Sequence, residues 1–476
     1  MRLGGNELVL GIMPESRLSS LSLSHRTCPL GLLAVLSSSV RDQLGWVYNE
    51  EVSGDILSEH PDLWREASVV LLSAHAGNIN RCIVLARLAQ ADGKVVALGG
   101  PEPSMIGPAM LRDRPFFDAL VVGPGEGVLG WLMTRTRPVP PGVFLPEHAM
   151  ESLGSPEIEY KPPFRSIDFQ NIQVDYGRLF DMKKHVGLSY LWGNDCAQAR
   201  DRCFFCGRLA MGVGYRPSDK VWGELAKAYK HGILDFYNTT DSVTTNKVKF
   251  REFCEAKPSD MTEDTHRVFV NSRDVDEELV VSMRRLRGTA VIGIESFGRL
   301  AGTGKHRTSN EVNLRSVAIL HAAGVKMVLS FVFGLPGETR ESIGATEDGI
   351  TKTVARYGDL IEAIHISPLV ITSGSPAYRK LFKDVEVRRK YEAKLLPYDV
   401  IEMSEDYFAR ECQVTRRYCI ERAHAIAEKI HKIAPHVRIG AKGILKSEER
   451  ASSSAAQMGG EAGLVLLDES SIVEPR

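Results

Sequence analysis

Three cysteines that could hold a metal cluster fall within one short run of this chain. Cys196, Cys203 and Cys206 form a C-x6-C-x2-C pattern directly after an apolar segment. A [4Fe–4S] cubane normally takes four cysteine thiolates, so three thiolates leave one iron open. An open iron can bind a substrate or cosubstrate. The spacing therefore indicates a catalytic iron–sulfur centre.

Two other interpretations of these cysteines remain open on the spacing alone. Structural zinc also takes three cysteines and one histidine. His185 precedes the run and His231 follows it, so either histidine could complete a zinc site. The cysteines could also be unligated. The remaining five are less informative: Cys28, Cys82 and Cys254 are isolated, and Cys412 and Cys419 are seven positions apart on one predicted helix.

The composition is that of an ordinary globular protein. The chain has 476 residues, 43% hydrophobic and 25% charged, which predicts two or three domains. Its formal net charge of -1 gives no reason to expect a nucleic-acid partner. We find neither a membrane-length apolar run nor a signal peptide, so no membrane partner is expected. Eight cysteines in so long a chain suggest reduced thiols and a cytoplasmic protein.

Residues 1–150 alternate strand and helix, which predicts an N-terminal Rossmann-like domain with a parallel sheet. Strands are predicted at 8–13, 67–73, 94–98 and 118–122. Glycines follow the last two strands, in Gly99-Gly100 and in Gly123-Pro-Gly-Glu-Gly127. Open α/β sheets bind ligands at this carboxyl edge. No G-x-G-x-x-G loop is present, so a dinucleotide site is not supported.

A second strand–helix series follows a predicted linker at 151–184. Residues 185–377 contain six predicted strands, which indicates a (β/α)6 partial barrel, a fold in which chemistry lies at the carboxyl ends of the strands. Ser218 and Ser309 are predicted helix caps. Residues 378–446 are predicted to be helical, including one helix at 407–432, and 447–476 are predicted to be disordered. The six strands are predicted at 186–191, 233–238, 268–271, 290–295, 327–333 and 361–367.

The motifs of this series, in their order along the chain, resemble those of radical S-adenosylmethionine (SAM) enzymes. Besides the cysteines they are Tyr215-Arg-Pro-Ser, Asn271-Ser-Arg273, Gly293-Ile-Glu-Ser296 and Phe333-Gly-Leu-Pro-Gly-Glu-Thr339. The N-terminal half, with Pro29-Leu-Gly-Leu-Leu, Gly99-Gly-Pro101 and Gly125-Glu-Gly127, resembles the cobalamin-binding domain that precedes the barrel in one large branch of that family. The resemblance covers roughly residues 5–380.

The resemblance implies a role for each matching residue of the barrel. Cys196, Cys203 and Cys206 would hold three irons of a [4Fe–4S] cluster, and SAM would chelate the fourth. One-electron cleavage of SAM would then release a 5′-deoxyadenosyl radical. The implied SAM contacts are Phe205 near the adenine, Thr239, Thr240 and Asp241 near the methionine amino group, Arg273 and Glu295 near the ribose or carboxylate, and Gly334 and Gly337 along the adenine. Two alternatives remain: Glu295 pairs with a barrel cation, and Phe205 belongs to the core.

The resemblance also implies a cobalamin site on the first domain. The implied contacts are Ser73, Ala74, His75, Gly99, Gly100, Gly123, Gly125 and Glu126. Two departures from the family pattern matter. The first cysteine spacing is x6 where the family has x3, and the D-x-H-x-x-G motif of histidine-ligated cobalamin is absent. Cobalamin would then bind without a histidine ligand. His75 either faces the cobalt or is a hydrogen-bonded loop histidine.

These implications predict a cobalamin-dependent methyltransferase. It would transfer a methyl group to an unactivated carbon or a phosphorus centre of a small metabolite, with flavodoxin or ferredoxin as the electron donor. One alternative is a radical rearrangement or cyclisation without methyl transfer. Another, of a different class, is a zinc-stabilised cobalamin-sensing protein. The region 378–446 is expected to close the barrel mouth and shape the choice of substrate.

Overall fold

The computed structural model contains two large parallel sheets in sequence. The residues that it describes are 7–18, 28–39, 44–112, 114–134, 138–147, 167–196, 203–208, 213–305, 308–393 and 399–441. The predicted disordered tail at 447–476 and the first part of the predicted linker, 151–166, lie outside them. The predicted α/β class, with a Rossmann-like sheet, a partial barrel and a helical C-terminal region, is confirmed.

The first sheet has the strand order β2-β1-β3-β4-β5-β6. Every pairing is parallel except that of β5 with β6. The strand order reverses between β1 and β3, the place where open sheets of this kind bind ligands. The strands are β1 Leu8–Met13, β2 Gly45–Asn49, β3 Ala67–Ser73, β4 Val95–Gly99, β5 Ala119–Val121 and β6 Val143–Phe144.

Apolar side chains on both faces hold this sheet between helices. Val9 and Val69 pack on one face, and Leu10 and Val70 on the other. Strands buried on both faces need continuous apolar runs, which is why β1 and β3 were predicted to the residue. The helices are α1 Leu30–Ser39, α2 Glu50–Ser53, α3 Ile56–Glu59, α4 Pro61–Glu66, α5 Ile79–Ala91, α6 Pro101–Ile106 and α7 Val128–Thr134.

The second sheet is the partial barrel, and all its pairings are parallel. Its order is β15-β14-β13-β12-β11-β10-β7, and a separate two-stranded ribbon, β8 with β9, stands at its edge. The strands are β7 Leu188–Tyr190, β8 Gly193–Asn194, β9 Gly214–Tyr215, β10 Asp235–Asn238, β11 Thr265–Val270, β12 Gly288–Glu295, β13 Met327–Phe333, β14 Ile361–Pro368 and β15 Arg438–Ala441. The C-terminal region thus contributes a strand as well as helices.

Two details of the predicted helices are wrong. Pro217 occupies the N-cap position of α8 without a capping hydrogen bond, and Ser218 is the first residue of the helix. The helix predicted at 407–432 is two helices, so Cys412 ends α15 while Cys419 lies in α16. The predicted cap Ser309 is confirmed by its bond from Val312 N. The helices are α8 Ser218–Lys230, α9 Lys247–Glu255, α10 Glu277–Leu286, α11 Asn310–Ala322, α12 Arg340–Tyr357, α13 Pro376–Leu381, α14 Val385–Ala393, α15 Val400–Glu411 and α16 Arg416–Ile433.

The described part of the predicted linker packs against both sheets. Ile172, Val174 and Tyr176 are buried in the core that runs from the first domain into the barrel. The Tyr176 hydroxyl donates to the carbonyl of Ser189 at 2.8 Å, and the thiol of Cys28 donates to the same oxygen at 3.2 Å. One apolar core therefore runs from one face of the first sheet into the barrel.

In the part of the chain that the structure describes, no helix combines the length and apolarity needed to cross a membrane.

Candidate functional site

The three cysteines lie in a loop at the carboxyl edge of the barrel, directly after β7. The ribbon β8–β9 closes this loop at its base, pairing Gly193 with Tyr215. Gly193 also donates its backbone N–H to the hydroxyl of Thr240 at 3.0 Å. The stretch 197–202 between the first two cysteines is outside the described residues. The ribbon therefore anchors the loop at Gly193 and at Tyr215, on either side of the three cysteines.

The thiols are close enough to influence one another. None of the three forms a disulfide, and all three are partly exposed. Burial raises the pKa of Cys203 to about 12; Lys305 opposes this rise, whereas Cys206 and Cys196 add to it. Burial also raises the pKa of Cys206. A cluster would therefore displace protons from these thiols on binding, as metal ligation by cysteine requires.

Three cysteine sulfurs are the type of donor that an iron–sulfur cluster takes, since cysteine thiolates are its usual ligands. Within the described ranges, no group of three histidine, cysteine or acidic side chains stands at the spacing that a single metal ion needs.

A buried ion pair borders the cysteines. Lys305 Nζ donates to Glu295 Oε1 at 2.6 Å and to the carbonyl of Gly293 at 2.9 Å. Burial lowers the pKa of Lys305, but the Glu295 carboxylate and the thiol of Cys203 outweigh it and hold that pKa above its ordinary value. In this structure Glu295 therefore pairs with a barrel cation, the alternative that the sequence left open.

The backbone at Glu295 is unusual. Its φ is 69°, and the pairing register of β12 with β13 shifts between Gly293 and Glu295. A non-glycine residue in this region is strained, and such strain concentrates at functional sites. Glu295 is the last residue of β12, so it lies at the carboxyl edge of the barrel, where its carboxylate raises the pKa of Cys203.

A second ion pair lies beside Cys206. Arg208 Nε donates to Asp241 Oδ2, and its Nη2 donates to Asn194 Oδ1 at 2.7 Å. Burial raises the pKa of Asp241, against the effect of Arg208. Asp241 was predicted from the sequence, whereas Arg208 and Lys305 were not. Their only sequence signal is position: Arg208 stands two residues after Cys206, and Lys305 ten residues after Glu295.

Thr239 and Arg273, which are also predicted to contact SAM, bond to other groups of the protein. Thr239 donates its hydroxyl to the carbonyl of Tyr190 at 3.1 Å. Arg273 pairs with Asp274 at 3.2 Å. Phe205 is partly buried against the core, as the alternative expectation had it.

Gly334 and Gly337 adopt the left-handed conformation that favours glycine, with φ of 92° and 72°. A Cβ at Gly334 would lie 2.1 Å from the ring of Phe408, and one at Gly337 would lie 2.6 Å from Arg299. Protein atoms therefore occupy the space at each Cβ position. A role of these glycines toward adenine stays a prediction.

The three loops predicted for cobalamin meet at the carboxyl edge of the first sheet. Ala74 N donates to the carbonyl of Gly99 at 2.8 Å, and Gly123 N donates to the hydroxyl of Ser104 at 2.9 Å. Ala74 is buried, whereas the other members of the predicted set are partly exposed: Ser73, His75, Gly99, Gly100, Gly123, Gly125 and Glu126. Burial raises the pKa of Glu126. Partly exposed residues, several of them glycines, at the carboxyl edge of a parallel sheet fit a large planar ligand such as a corrin.

His75 is a hydrogen-bonded loop histidine. The backbone N–H of Gly77 donates to His75 Nδ1 at 3.1 Å, and burial lowers the pKa of His75 to about 4. A neutral imidazole whose Nδ1 accepts a hydrogen bond carries its proton on Nε2. Neither ring nitrogen then offers a free lone pair to a metal, which agrees with the absence of the D-x-H-x-x-G motif.

Comparison with known sequences finds relatives over half of the chain. It is 27% identical over 271 residues to an anaerobic magnesium-protoporphyrin IX monomethyl ester cyclase of Cereibacter sphaeroides, a match covering 52% of this chain and 43% of the cyclase. A cyclase of the same description from Rubrivivax gelatinosus is 26% identical over 277 residues, covering 53% and 48%. The chain thus spans less than half the length of these curated relatives. No protein-family model matches it.

Comparison of structures finds similarity over most of the chain. TsrM from Kitasatospora setae, described as a radical SAM methyltransferase with cobalamin and a [4Fe–4S] cluster bound, matches with a TM-score of 0.61 and 17% identity, covering 79% of this chain and 78% of TsrM. TsrM with tryptophan and a SAM analogue bound matches equally, with a TM-score of 0.61. The chain therefore has the fold that the motifs implied, and the resemblance is confirmed at that level.

Proposed function

We propose that this chain is a cobalamin-dependent radical SAM enzyme that transfers a methyl group to a small metabolite. The observation that carries the proposal is the set of three mutually interacting thiols at the carboxyl edge of a parallel partial barrel. TsrM is described with cobalamin and a [4Fe–4S] cluster bound. The residues at the carboxyl edges of the two sheets of this chain are of the kind that could hold these cofactors.

The chain's own residues would perform distinct tasks around these cofactors. Cys196, Cys203 and Cys206 would hold the cluster. When bound, the cluster with SAM would supply one-electron cleavage to a deoxyadenosyl radical, and cobalamin would supply the methyl group. Lys305 and Arg208 place positive charge beside Cys203 and Cys206, which lowers the pKa of each thiol, while their partners Glu295 and Asp241 act in the opposite direction.

A second reaction is favoured by one specific observation. The curated relatives are described as cyclases, and they match the chain more closely in sequence than TsrM does. We therefore keep radical cyclisation without methyl transfer as the alternative. The substrate in either case is a small molecule, and a reduced flavodoxin or ferredoxin would deliver the electron.

The test is anaerobic reconstitution with iron and sulfide, with and without hydroxocobalamin. Wild type is compared with the double variant Cys203→Ala/Cys206→Ala and with Cys254→Ala, a cysteine fully buried in α9 away from the loop. We expect wild type and Cys254→Ala to show iron–sulfur absorption, to retain the corrin through desalting and to release deoxyadenosine under dithionite. The double variant is expected to lose the cluster and the deoxyadenosine.

Label transfer separates the two reactions. With SAM carrying a deuterated methyl group, a methyltransferase places the label on the bound corrin, whereas a cyclase does not. A cluster without retained corrin contradicts the cobalamin part of the proposal. Bound zinc in place of iron and sulfide contradicts radical chemistry and favours the sensing protein.

A further inference from the structure

The loop after β14 contacts both candidate cofactor edges. Ser373, in this loop, donates its hydroxyl to Glu102 Oε1 at 2.5 Å. Glu102 belongs to the first domain, and the two residues are 271 positions apart. Only 3% of Ser373 and 6% of Glu102 are exposed. This buried polar contact joins the first sheet to the barrel and lies near both edges. The packing around it is apolar.

On the first domain, Glu102 stands in the helix turn that joins the three predicted cobalamin loops. Its backbone N–H donates to the carbonyl of Ala74 at 3.1 Å. Two residues further on, the hydroxyl of Ser104 donates to the carbonyl of Gly100 at 2.7 Å and accepts from Gly123 N at 2.9 Å. Any displacement of Glu102 is thus transmitted to all three loops.

On the barrel, the residues around Ser373 are fixed against the cysteine loop. A Cβ at Gly207 would lie 2.5 Å from Thr372 Oγ1 and 3.2 Å from the carbonyl oxygen of Ser373, so the two segments pack closely. Ala377 N donates to the carbonyl of Phe204 at 2.9 Å. The segment 372–377 therefore joins the residues between and after Cys203 and Cys206 to the first domain.

The geometry leaves this segment little freedom to adjust. Gly374 has a φ of 75°, and a Cβ there would lie 2.5 Å from the sulfur of Met105 in α6. The carboxyl of Glu102 is buried, and burial raises its pKa, while the hydroxyl of Ser373 opposes that rise. Removing the hydroxyl would leave a buried acceptor without this partner, which costs more than an average hydrogen bond.

We propose that Ser373 and Glu102 are positioning residues that set the cobalamin loops against the cluster loop. The proposal rests on the proposed function for the identity of the cofactors. Its structural part does not depend on the cofactors: one hydrogen bond couples the predicted cobalamin loops to the cysteine loop. Neither side chain is assigned a contact with a cofactor.

The first experiment measures the coupling in cofactor-free protein by hydrogen exchange. Ser373→Ala removes the donor, whereas Glu102→Gln keeps a carbonyl acceptor for it. Ser282→Ala, on the outer helix α10, is the matched control, since Ser282 is 4% exposed and only back-bonds within its helix. We expect Ser373→Ala to speed exchange at 99–106 and at 203–208 together, by about tenfold, and the other two variants to resemble wild type.

The second experiment uses the reconstituted holoenzyme. For Ser373→Ala we expect wild-type cluster content but about tenfold weaker retention of hydroxocobalamin, whereas Glu102→Gln, which keeps an acceptor for Ser373, should retain it as wild type does. Spin–spin broadening between the reduced cluster and cob(II)alamin should also change.

The outcomes keep this proposal apart from the proposed function. Wild type that fails to bind corrin contradicts the proposed function, and the exchange result then stands alone as the test of coupling. If exchange rises at only one of the two segments, 99–106 or 203–208, or at neither, the positioning role is overturned. A loss of cluster, corrin and thermal stability together in Ser373→Ala overturns it as well, because that pattern indicates general unfolding.

Discussion

At the scale of single residues, the Lys305–Glu295 pair is the main electrostatic feature of the barrel site. Lys305 is 17% exposed and Glu295 is 8% exposed, so neither charge is well hydrated. Breaking a buried pair leaves one charge uncompensated, which costs about 3 to 5 kcal/mol, whereas replacing both partners by apolar residues costs far less. The pair should therefore behave as a unit.

We expect Lys305→Met to lower the free energy of unfolding of the cofactor-free protein by about 3 kcal/mol and Glu295→Leu to lower it similarly. The double variant should lose less than the sum of the two. Urea unfolding of all four proteins gives the coupling energy directly. Additive losses would show that the pair is not coupled. A control cycle on the exposed pair Arg251–Glu278 should give about 0.5 kcal/mol or less.

His75 makes a second prediction, on pH. Its pKa of about 4 lies below the 6.5 of an unperturbed histidine, because burial disfavours the charged ring. A depressed pKa gives stability that is present above pH 6.5 and lost as the pH falls toward 4, since the unfolded chain takes up the proton first. His75→Gln should remove this loss, which amounts to about 3 kcal/mol at most.

The measurement is the free energy of unfolding of cofactor-free protein between pH 7 and pH 4.5. We expect wild type to lose more stability over this range than His75→Gln. The exposed His231, at the end of α8, supplies the control, and His231→Gln should keep the wild-type slope. Equal slopes in wild type and His75→Gln would mean that the ring is protonated without cost.

At the scale of elements, Gly100 fixes how α6 leaves the first sheet. Its φ is 107°, and a Cβ there would lie 2.6 Å from the carbonyl oxygen and 2.8 Å from the nitrogen of Ala74. These are backbone atoms, so no side chain can move aside. We expect Gly100→Ala to destabilise the protein by about 2 to 3 kcal/mol, partly from φ and partly from this contact.

Gly93 separates the two contributions. It also has a positive φ, of 72°, but a Cβ there would meet nothing within 4 Å. Gly93→Ala should therefore cost only about 1 kcal/mol, from φ alone. Thermal unfolding of both variants gives the comparison. Equal losses would show that Ala74 yields to the added methyl group.

The sequence predicts these elements unevenly, for physical reasons. Strands such as β1 and β13 are buried on both faces and read as apolar runs. The short strand β2 was missed because its sequence, Gly-Trp-Val-Tyr-Asn, lacks such a run. The charge partners Arg208 and Lys305 were missed because an ion pair depends on distance in space, which one sequence does not show. The three cysteines were found because their ligand spacing is local.

At the scale of the whole molecule, the two domains share a core instead of meeting at a polar interface. Leu33 of α1 and Leu188 of β7 belong to the same buried apolar cluster, which continues to Ile426 of α16. Domains joined by a modest polar interface usually move and unfold separately. A continuous core, bridged by Tyr176, argues instead for one cooperative unit.

We expect the first sheet and the barrel to unfold together in urea. Pulse-labelling hydrogen exchange should show the same midpoint for 67–73, in the first sheet, and for 327–333, in the barrel. Tyr176→Phe removes the bond from the linker to Ser189 of the barrel and should lower both midpoints equally, by an amount that corresponds to about 1 kcal/mol. Two separate midpoints in wild type, or a shift in only one of them, would show that the shared core does not couple the domains. Such coupling matters for the proposed chemistry, because two cofactors held on different sheets can face one substrate only if the sheets keep a fixed distance.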